Sequence, residues 1–229
     1  MSIFKIISKN EFLKTNKKPN QLNVWNKIAK PWQIYRVKKI PIIEEFLKNK
    51  KGKVIDFGCG GGRNMIPNSN ITYYGIDFSD DQLKNAEKFC RLNKNKAKFF
   101  KSKINNLDKI FKNNFFDYGI FIGSLHCLET KKARLNALKE FFRVLKHNSE
   151  ALISVWNSED KRFAHVNNNG DIYMSWKEQG ICYMRYYYLY KKQEFLSSIK
   201  SVGFKLINFY EPREHDRFSK KNWIVKIEK

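Results

Sequence analysis

An α/β fold built on a central sheet is predicted for this chain by two stretches that resemble consecutive strands of a nucleotide-binding sheet. The first, Lys53 to Gly62, reads Lys-Val-Ile-Asp-Phe-Gly-Cys-Gly-Gly-Gly. Its β-favouring apolar residues predict a buried strand, and its glycines let the backbone approach a ligand closely. The second, Ile71 to Asp77, predicts the next strand and ends in an acid about 20 residues after the turn, where such sheets bond ribose hydroxyls.

The carboxylate of Asp56, two residues before the first glycine of the turn, indicates which ligand the turn holds. An anion at this place repels a pyrophosphate and attracts a cation, and S-adenosyl-methionine carries both a sulfonium and an ammonium group. A dinucleotide fingerprint needs Gly-x-Gly-x-x-Gly, and the third glycine of that spacing falls on Arg63. An NAD site is therefore the weaker alternative, and S-adenosyl-methionine is the expected cofactor.

The segments before the first strand are predicted to be a tail and two helices. Residues 1–23 are polar and lysine-rich, so we expect a basic flexible tail there. Apolar spacing predicts a helix over Val24–Lys30, and Pro41 is placed to begin a second helix. After the second strand, Ser79 and Gln82 have the spacing of a capping box that opens another helix.

The second half of the sheet is predicted from three further strands and a terminal pair. Ala97–Ser102 is an expected edge strand, and Phe116–Ile122 is the fourth strand, followed by Gly123 and His126 where doubly wound sheets place ligands. An amphipathic helix is expected over Glu129–Lys146, with a core-facing stripe of Leu135, Leu138, Phe142 and Leu145. The remaining expected elements are the fifth strand Ala151–Trp156, a polar loop Asn157–Gly170, a helix Gln193–Val202, and the closing strands Phe204–Tyr210 and Trp223–Glu228.

Charge is the strongest feature of the composition. The 229 residues carry a formal net charge of +23, and 15% of them are aromatic. Cations interleaved with aromatic rings are what RNA binding uses, so tRNA or another RNA is the expected partner, although a biased genome would also enrich lysine. No apolar run approaches the length of a membrane span, so no membrane partner is expected. The four cysteines are scattered, which disfavours a metal site or a disulfide framework and favours a reducing cytoplasm.

The ordered cofactor motifs resemble those of the class I S-adenosyl-methionine-dependent methyltransferases. The resemblance implies a Rossmann-like fold, a mixed seven-stranded sheet with helices on both faces and an antiparallel C-terminal hairpin. It divides a single domain, residues 24–229, into a helical lid (24–50), a cofactor-binding core (51–156), and a substrate loop with the C-terminal strands (157–229). The expected cofactor-binding residues are Asp56, Gly58, Cys59, Gly60, Gly62, Asn64, Asp77, Phe78, Ser79, Ser102 and Gly123. Ser102 stands where many of these enzymes carry an aspartate for the adenine amino group.

Both ends of the chain are similar to a narrower family, the tRNA wobble-uridine carboxymethyl methyltransferases, which includes the methyltransferase domain of AlkB-homologue tRNA enzymes. The matching segments are Val24–Ala29, Ser124–His126, Val155-Trp156, Arg185–Tyr190 and Asn222-Trp223. The chain departs from the family pattern at Gln33–Arg36, at Tyr186–Tyr188, and at Cys127, where a second histidine often follows His126. The resemblance implies methyl esterification of the carboxymethyl group on a wobble uridine.

Such an esterification needs positioning more than a base, because a carboxylate is already ionised at neutral pH. Arg36 and Arg185 are the candidates for holding one carboxylate oxygen while the other attacks, and His126 is a candidate for orienting the base or the carboxylate. The resemblance also implies a small zinc-binding activator protein that pairs with the third-strand edge, at Lys98–Lys101. Two alternatives remain open: a small-molecule carboxyl or oxygen methyltransferase, and an inactive RNA-binding subunit with the same fold.

Overall fold

The computed structural model describes residues 5–107, 110–166, 169–212, 216 and 218–229. Its strands are β1 (Ile6–Ser8), β2 (Gly52–Phe57), β3 (Ile71–Asp77), β4 (Ala97–Lys101), β5 (Phe116–Ile122), β6 (Leu145–Trp156), β7 (Asp171–Glu178), β8 (Ile181–Tyr188), β9 (Lys205–Tyr210) and β10 (Asn222–Glu228). Its α-helices are α1 (Lys9–Thr15), α2 (Gln21–Tyr35), α3 (Pro41–Leu47), α4 (Asp80–Leu92), α5 (Lys131–Val144) and α6 (Lys192–Lys200).

The main sheet has seven strands in the order β4-β3-β2-β5-β6-β10-β9. The first five strands of this order are parallel, whereas β10 lies antiparallel between β6 and β9. The predicted mixed sheet with an antiparallel C-terminal hairpin is therefore confirmed. Because β2 is central and its neighbours are parallel, the carboxyl ends of β2, β3, β4 and β5 meet at one edge of the sheet, where ligands bind in such folds.

Helices cover both faces of this sheet, as predicted, and the alternation along β2 shows why. Val54 packs in one apolar cluster with residues of α3 and α4, whereas its neighbour Ile55 packs in another with residues of α5 and α6. Successive side chains of a strand point to opposite faces, so a strand with apolar residues on both faces requires a cover on each side. The core therefore lies in two layers that hold β2 in place.

Helix α5 is shorter than the predicted helix Glu129–Lys146, and the phenylalanine that it buries fully is Phe141 rather than Phe142. Thr130 caps its first turn by accepting a hydrogen bond from the N–H of Ala133, and the chain leaves the helix directly into β6 at Leu145. Phe141 is fully buried, whereas Phe142, which the apolar pattern had placed in the core, is half-buried. The difference follows from close contact with the sheet, since the ring of Phe141 lies over Gly119 on β5.

The N-terminal segment differs from the expected flexible tail. Strand β1 pairs with β7 in antiparallel register, and β7 pairs with β8, which gives a second sheet of three strands. Ser8 caps α1 by accepting from the N–H of Glu11 at 3.2 Å. Most of the lysines that suggested a tail occupy exposed positions around short apolar stretches, so composition alone concealed the local order. The small sheet itself was not predicted.

Helix α2 is longer than the predicted helix Val24–Lys30, because it begins at Gln21 and continues through Pro31 to Tyr35. Asn20 caps its first turn, and the helix packs between α4 on one side and the small sheet on the other. Its tryptophans, Trp25 and Trp32, contact each other edge to face at 5.1 Å. Pro31 has no N–H to donate within the helix, and the ring contacts of these half-buried tryptophans hold the turns on both sides of it. Within the described ranges of the chain, no helix is both long and apolar enough to cross a membrane.

Candidate active site

The glycine-rich turn after β2 follows a path that side chains would obstruct. Gly58, Gly60 and Gly62 have φ angles of +70°, +51° and +81°, in the region that glycine adopts most readily. A Cβ atom on Gly58 would lie 2.4 Å from the Cβ of Ser124, and one on Gly61 would lie 1.6 Å from Oε1 of Gln33. The turn is thus enclosed by the end of β5 and by α2, and its backbone faces the carboxyl edge of the sheet.

Asp56 is fully buried at the carboxyl end of β2. Its Oδ2 accepts hydrogen bonds from Nδ2 of Asn64 at 3.0 Å and from the hydroxyl of Tyr73, while its Oδ1 is buried without a partner among the described residues. Burial raises the pKa of Asp56 to about 7, although both hydrogen bonds act in the opposite direction. An unpartnered carboxylate oxygen in a buried position is a site for a cationic or hydrogen-bond-donating group.

Asp77 joins the turn to the start of α4. Its Oδ2 accepts from the N–H of Gly60 and its Oδ1 from the N–H of Ser79, each at 2.9 Å. Ser79 in turn caps α4 by accepting from the N–H of Gln82 at 3.2 Å, as predicted. The reciprocal bond of a capping box is not formed, because the N–H of Ser79 donates to Asp77. Both side-chain polar atoms of Gln82 are buried with no partner in the part of the chain described, so they too face a place for a polar ligand.

Cys59 and Phe78 were both predicted to bind the cofactor. The side chain of Cys59 lies in the core, whereas that of Phe78 is half-buried. The Sγ of Cys59 lies toward β3, where a Cβ on Gly75 would be 2.8 Å from it, and burial raises the pKa of this thiol well above its usual range. Its side chain therefore belongs to the core beneath the turn. Phe78 is half-buried between β3 and α4, directly after Asp77.

Ser102 and Gly123 mark the ends of β4 and β5. The N–H of Ser102 donates to the carbonyl of Asp77 at 3.0 Å, and its hydroxyl contacts the carbonyls of Lys103 and Asn106 at 3.4 Å. Gly123 has a φ of +68° with no atom within 4 Å of where a Cβ would be. Space is therefore open at the carboxyl end of β5, beside the glycine-rich turn.

His126 is buried against two aromatic rings at this same edge. It stacks on Trp156 at 5.1 Å and lies 5.6 Å from the ring of Tyr187. Its Nδ1 accepts from the N–H of Trp156 at 3.3 Å, so the neutral ring carries its proton on Nε2. Burial, reinforced by the charges of Arg162 and Arg36, lowers the pKa of His126 to about 3. The imidazole is uncharged at neutral pH.

The two predicted catalytic arginines contact the same tryptophan. The guanidinium of Arg36 lies 4.3 Å from the Trp32 ring, and that of Arg185 lies 5.2 Å from it. Arg185 is 2% exposed and donates to the hydroxyl of Tyr187 and to the carbonyl of Ser175, each at 3.1 Å. The structure therefore brings together Arg36, which follows α2, and Arg185, which lies on β8, although 149 positions separate them in the sequence.

The charges around the turn fit S-adenosyl-methionine. The methionine end of this cofactor carries an ammonium and a carboxylate, and the site offers the anion Asp56 together with the cations Arg63 and Arg36. Burial, with the nearby charge of Arg36, lowers the pKa of Arg63 to about 10. Asp77 has its carboxylate held by two main-chain N–H groups, and the space beside Gly123 is open.

Several residues at this site were not predicted from the sequence, because they lie far along the chain from the glycine-rich turn or belong to no recognisable motif. Gln33 donates to the carbonyl of Gly61 at 3.3 Å, and Asn26 accepts from the hydroxyl of Ser79 at 2.6 Å. Tyr73 and Tyr187 hold Asp56 and Arg185, respectively. A glutamine or asparagine on an amphipathic helix carries no local signal, whereas the tyrosines are ordinary strand residues whose partners lie on other strands.

Residues 48–204 of this chain match the family profile described as a methyltransferase domain. Among curated proteins, it is 27% identical over 231 residues to the tRNA (carboxymethyluridine(34)-5-O)-methyltransferase of Schizosaccharomyces pombe, which covers 90% of this chain and 94% of that protein. It is 31% identical over 142 residues to the probable tRNA methyltransferase 9B of Homo sapiens, which covers 61% of this chain. A relative from Saccharomyces cerevisiae has the same name as the Schizosaccharomyces pombe protein, and the chain spans 54% of its length. The chain spans 29% of the length of the human protein.

Solved structures share the fold at low identity. An S-adenosyl-methionine-dependent methyltransferase from Methanosarcina mazei superposes with a TM-score of 0.68 at 21% identity, over 82% of this chain and 97% of that one. A protein from Pyrococcus horikoshii superposes with a TM-score of 0.66 at 17% identity, over 90% of this chain and 95% of that one. Since the family profile covers more than half of the chain and the sheet has the same architecture, this protein belongs to the methyltransferase domain family and is a class I S-adenosyl-methionine-dependent methyltransferase.

Proposed function

We propose that this enzyme esterifies the carboxymethyl group of 5-carboxymethyluridine at the wobble position of tRNA, position 34 in the name of its relatives. The observation that carries the proposal is the pair of guanidinium groups, Arg36 and Arg185, both in contact with Trp32. A planar cation that is held rigidly suits a carboxylate, because it offers parallel donors to both oxygens.

The residues of this chain position the carboxylate rather than activate it. Arg185 is oriented by Tyr187 and Ser175, so little conformational entropy is lost when it binds an oxygen of the substrate. His126 is neutral with its proton on Nε2, and from there it donates a hydrogen bond without repelling the two arginines. The carboxylate is already ionised at neutral pH, so no side chain has to remove a proton.

The cofactor side of the site holds S-adenosyl-methionine, which supplies an electrophilic methyl group when bound. We assign the methionine end of the cofactor to Asp56, whose own carboxylate is held by Asn64 and Tyr73. We assign the ribose to Asp77. The turn contributes main-chain contacts. The remaining assigned residues are Gly58, Cys59, Gly60, Gly62, Phe78, Ser79, Ser102 and Gly123, of which Cys59 contributes its backbone alone. The hydroxyl of Ser102 is assigned to the adenine, where it accepts from the amino group.

The substrate is a tRNA rather than a small acid on grounds of charge and of similarity. A net charge of +23 attracts a phosphate backbone, and phosphate contacts give binding a steep dependence on salt. The relatives from Schizosaccharomyces pombe and Saccharomyces cerevisiae carry tRNA and carboxymethyluridine in their names. All four cysteines are free thiols, and Cys182 is exposed, which supports a reducing cytoplasm as the place of work.

The edge strand β4 is the proposed docking place of a small zinc-binding activator protein. It ends the main sheet, and an exposed sheet edge is a template for a strand of another chain. Lys98 and Lys101 are exposed on this strand, and both lie within the segment that the sequence assigned to the activator.

The test of the proposed reaction is an incubation with methyl-labelled S-adenosyl-methionine and tRNA that lacks the ester, with and without an activator, followed by mild alkali. An ester releases its label as volatile methanol, whereas a methyl group on a ring nitrogen, a carbon or a ribose stays with the RNA. Volatile label is expected. Stable label would contradict esterification. Label transferred only to small carboxylic acids would make the protein a small-molecule methyltransferase, and failure to bind the cofactor would make it an inactive RNA-binding subunit.

A further inference from the structure

A row of four side chains in contact leads from the buried end of the site to the surface. The hydroxyl of Tyr187, whose ring lies beside His126, accepts from Arg185 at 3.1 Å. The guanidinium of Arg185 lies 5.2 Å from the ring of Trp176, and that ring meets Tyr35 edge to face at 5.6 Å. Along the row the exposed fraction rises from 1% for Tyr187 through 2% for Arg185 and 7% for Trp176 to 74% for Tyr35. Tyr35 therefore stands at the outer end of the site.

Tyr35 contributes little to the core. It is the last residue of α2, and its neighbours Ile34 and Val37 are 67% and 55% exposed. Large apolar groups in such a cluster cost free energy in water, and a cluster of this kind at the mouth of a site is characteristic of a binding surface. The Tyr35 ring is therefore accessible to a ligand that approaches the outer end of the site.

The charges around Tyr35 identify the kind of ligand that suits it. Arg36 follows it directly, and Lys38 is exposed two residues further on. The chain as a whole carries a net charge of +23. Aromatic rings beside cations bind single-stranded nucleic acid, because each base offers a face for stacking and each nucleotide brings a phosphate. A protein partner with an apolar surface would gain the stacking but would need acidic groups to match the cations.

We propose that Tyr35 is a stacking platform for a base that flanks the modified uridine, so that it holds the anticodon loop while the uridine reaches Arg185. The inference rests on the proposed function, because it requires an RNA substrate whose reacting nucleotide reaches Arg185. Tyr35 acts on binding of the RNA and touches neither the carboxylate nor the cofactor. The contact with Trp176 sets the direction of the ring, and Trp176 in turn lies against Arg185.

The experiment compares Tyr35→Ala, Tyr35→Phe and, as a matched control outside this apolar cluster, Leu92→Ala, an exposed apolar residue at the end of α4. An anticodon stem-loop RNA carries 2-aminopurine in place of a nucleotide next to the wobble uridine, and its fluorescence is quenched when the base stacks on a ring. Wild type and Tyr35→Phe are expected to quench the probe. Tyr35→Ala is expected to lose the quenching and to raise KM for the RNA by about tenfold, with kcat within about twofold of wild type.

The outcomes separate this inference from the function on which it rests. If wild type releases methanol from labelled tRNA but Tyr35→Ala quenches the probe and binds the RNA as wild type does, the stacking platform is wrong and the esterification stands. If wild type transfers no label to tRNA, the proposed function fails first. Affinity for S-adenosyl-methionine, measured by calorimetry, is expected to be the same in all four proteins, and a change in Tyr35→Ala would instead assign Tyr35 a structural role.

Discussion

The side chain of Gln21 accepts a hydrogen bond at 2.9 Å from the main-chain N–H of Tyr186. The same carboxamide donates to the carbonyl of Met184 at 3.1 Å, so the first residue of α2 holds β8 immediately before and after Arg185. Gln21 is 9% exposed, and it lies in the segment that the sequence suggested was a flexible tail. Its bonds fix the height of Arg185 relative to α2, which makes Gln21 a positioning residue for the proposed reaction.

Replacing Gln21 by Ala is expected to lower kcat about tenfold, because two hydrogen bonds worth about 1 kcal/mol each no longer hold the strand of Arg185. Cofactor affinity is expected to stay within about twofold of wild type. Steady-state kinetics with tRNA and calorimetry with S-adenosyl-methionine measure both quantities. Asn23→Ala, an exposed change on the same helix, serves as the control, and equal kcat in the two variants would remove Gln21 from this role.

Replacing Asp56 by Asn is expected to weaken cofactor binding by at least about tenfold, because the site loses its buried anion. The fold is expected to survive. The amide oxygen of the new side chain can still accept from Asn64 and Tyr73, while its NH2 group takes the place of the unpartnered Oδ1. Calorimetry measures the affinity, and circular dichroism checks the fold. Wild-type affinity in a folded Asp56→Asn would separate this carboxylate from the cofactor.

The same carboxylate gives stability a characteristic dependence on pH. Its pKa rises to about 7 in the folded protein from an ordinary 3.8, so the folded state binds the proton more tightly than the unfolded chain does. Its contribution to the free energy of unfolding therefore falls as pH rises from about 4 to about 7, by at most about 1.4 kcal/mol per pH unit. Urea unfolding without cofactor at pH 5 and pH 8 measures the fall. Asp56→Asn is expected to show a smaller one, and an identical slope in the two proteins would contradict the assignment.

His126 is expected to leave no step in the pH dependence of kcat between pH 6 and pH 7.5, because burial lowers its pKa to about 3 and the ring stays neutral throughout. His126→Asn is expected to lower kcat without changing the shape of the profile. Rates at saturating cofactor and tRNA give the comparison. A wild-type inflection near pH 6.5 that disappears in the variant would mean that His126 titrates and takes part in proton transfer.

Replacing Arg185 by Lys is expected to slow transfer ten- to hundredfold, since one ammonium cannot bond Tyr187, Ser175 and a carboxylate in the same planar arrangement. Affinity for S-adenosyl-methionine is expected to remain that of wild type, because Arg185 lies on the substrate side. Single-turnover transfer to tRNA measures the loss. Arg91→Lys, at an exposed position on α4, is the matched control. Unchanged turnover in Arg185→Lys would exclude the proposed carboxylate contact.

Replacing Lys101 by Pro is expected to abolish binding of an activator without unfolding the enzyme. The N–H of Ser102 points inward to Asp77, so the alternation of the strand directs the N–H of Lys101 outward, where proline removes it from a partner's reach. Co-purification with a candidate activator tests this, with Lys101→Ala as the control for the lost charge. Equal recovery of the complex with both variants would place the activator elsewhere.

The confirmed predictions rest on sequence patterns that are local, so that the signal and the feature lie close together in the chain. The turn after β2, the acid that ends β3 and the cap of α4 each lie within a few residues of their signal, and together with the resemblance they predicted the fold, the cofactor and methyl transfer. The small sheet was not predicted, because β1 and β7 are more than 150 positions apart and neither alternates strongly. The roles assigned to Arg36, His126 and Arg185 remain predictions, although the structure brings the two arginines together at Trp32.

Helix α2 contacts both halves of the site, through Gln33 and Asn26 on the cofactor side and through Gln21 on the side of β8. This shared support has a thermodynamic consequence. Whatever factor bound tRNA applies to the affinity for S-adenosyl-methionine, the cofactor must apply equally to the affinity for tRNA. The demethylated cofactor lacks the sulfonium charge. If α2 responds differently to the two forms of the cofactor, the affinity of the enzyme for its modified tRNA differs between them by the same factor. In the proposed reaction, a coupling between product release and cofactor exchange would therefore act through this one helix.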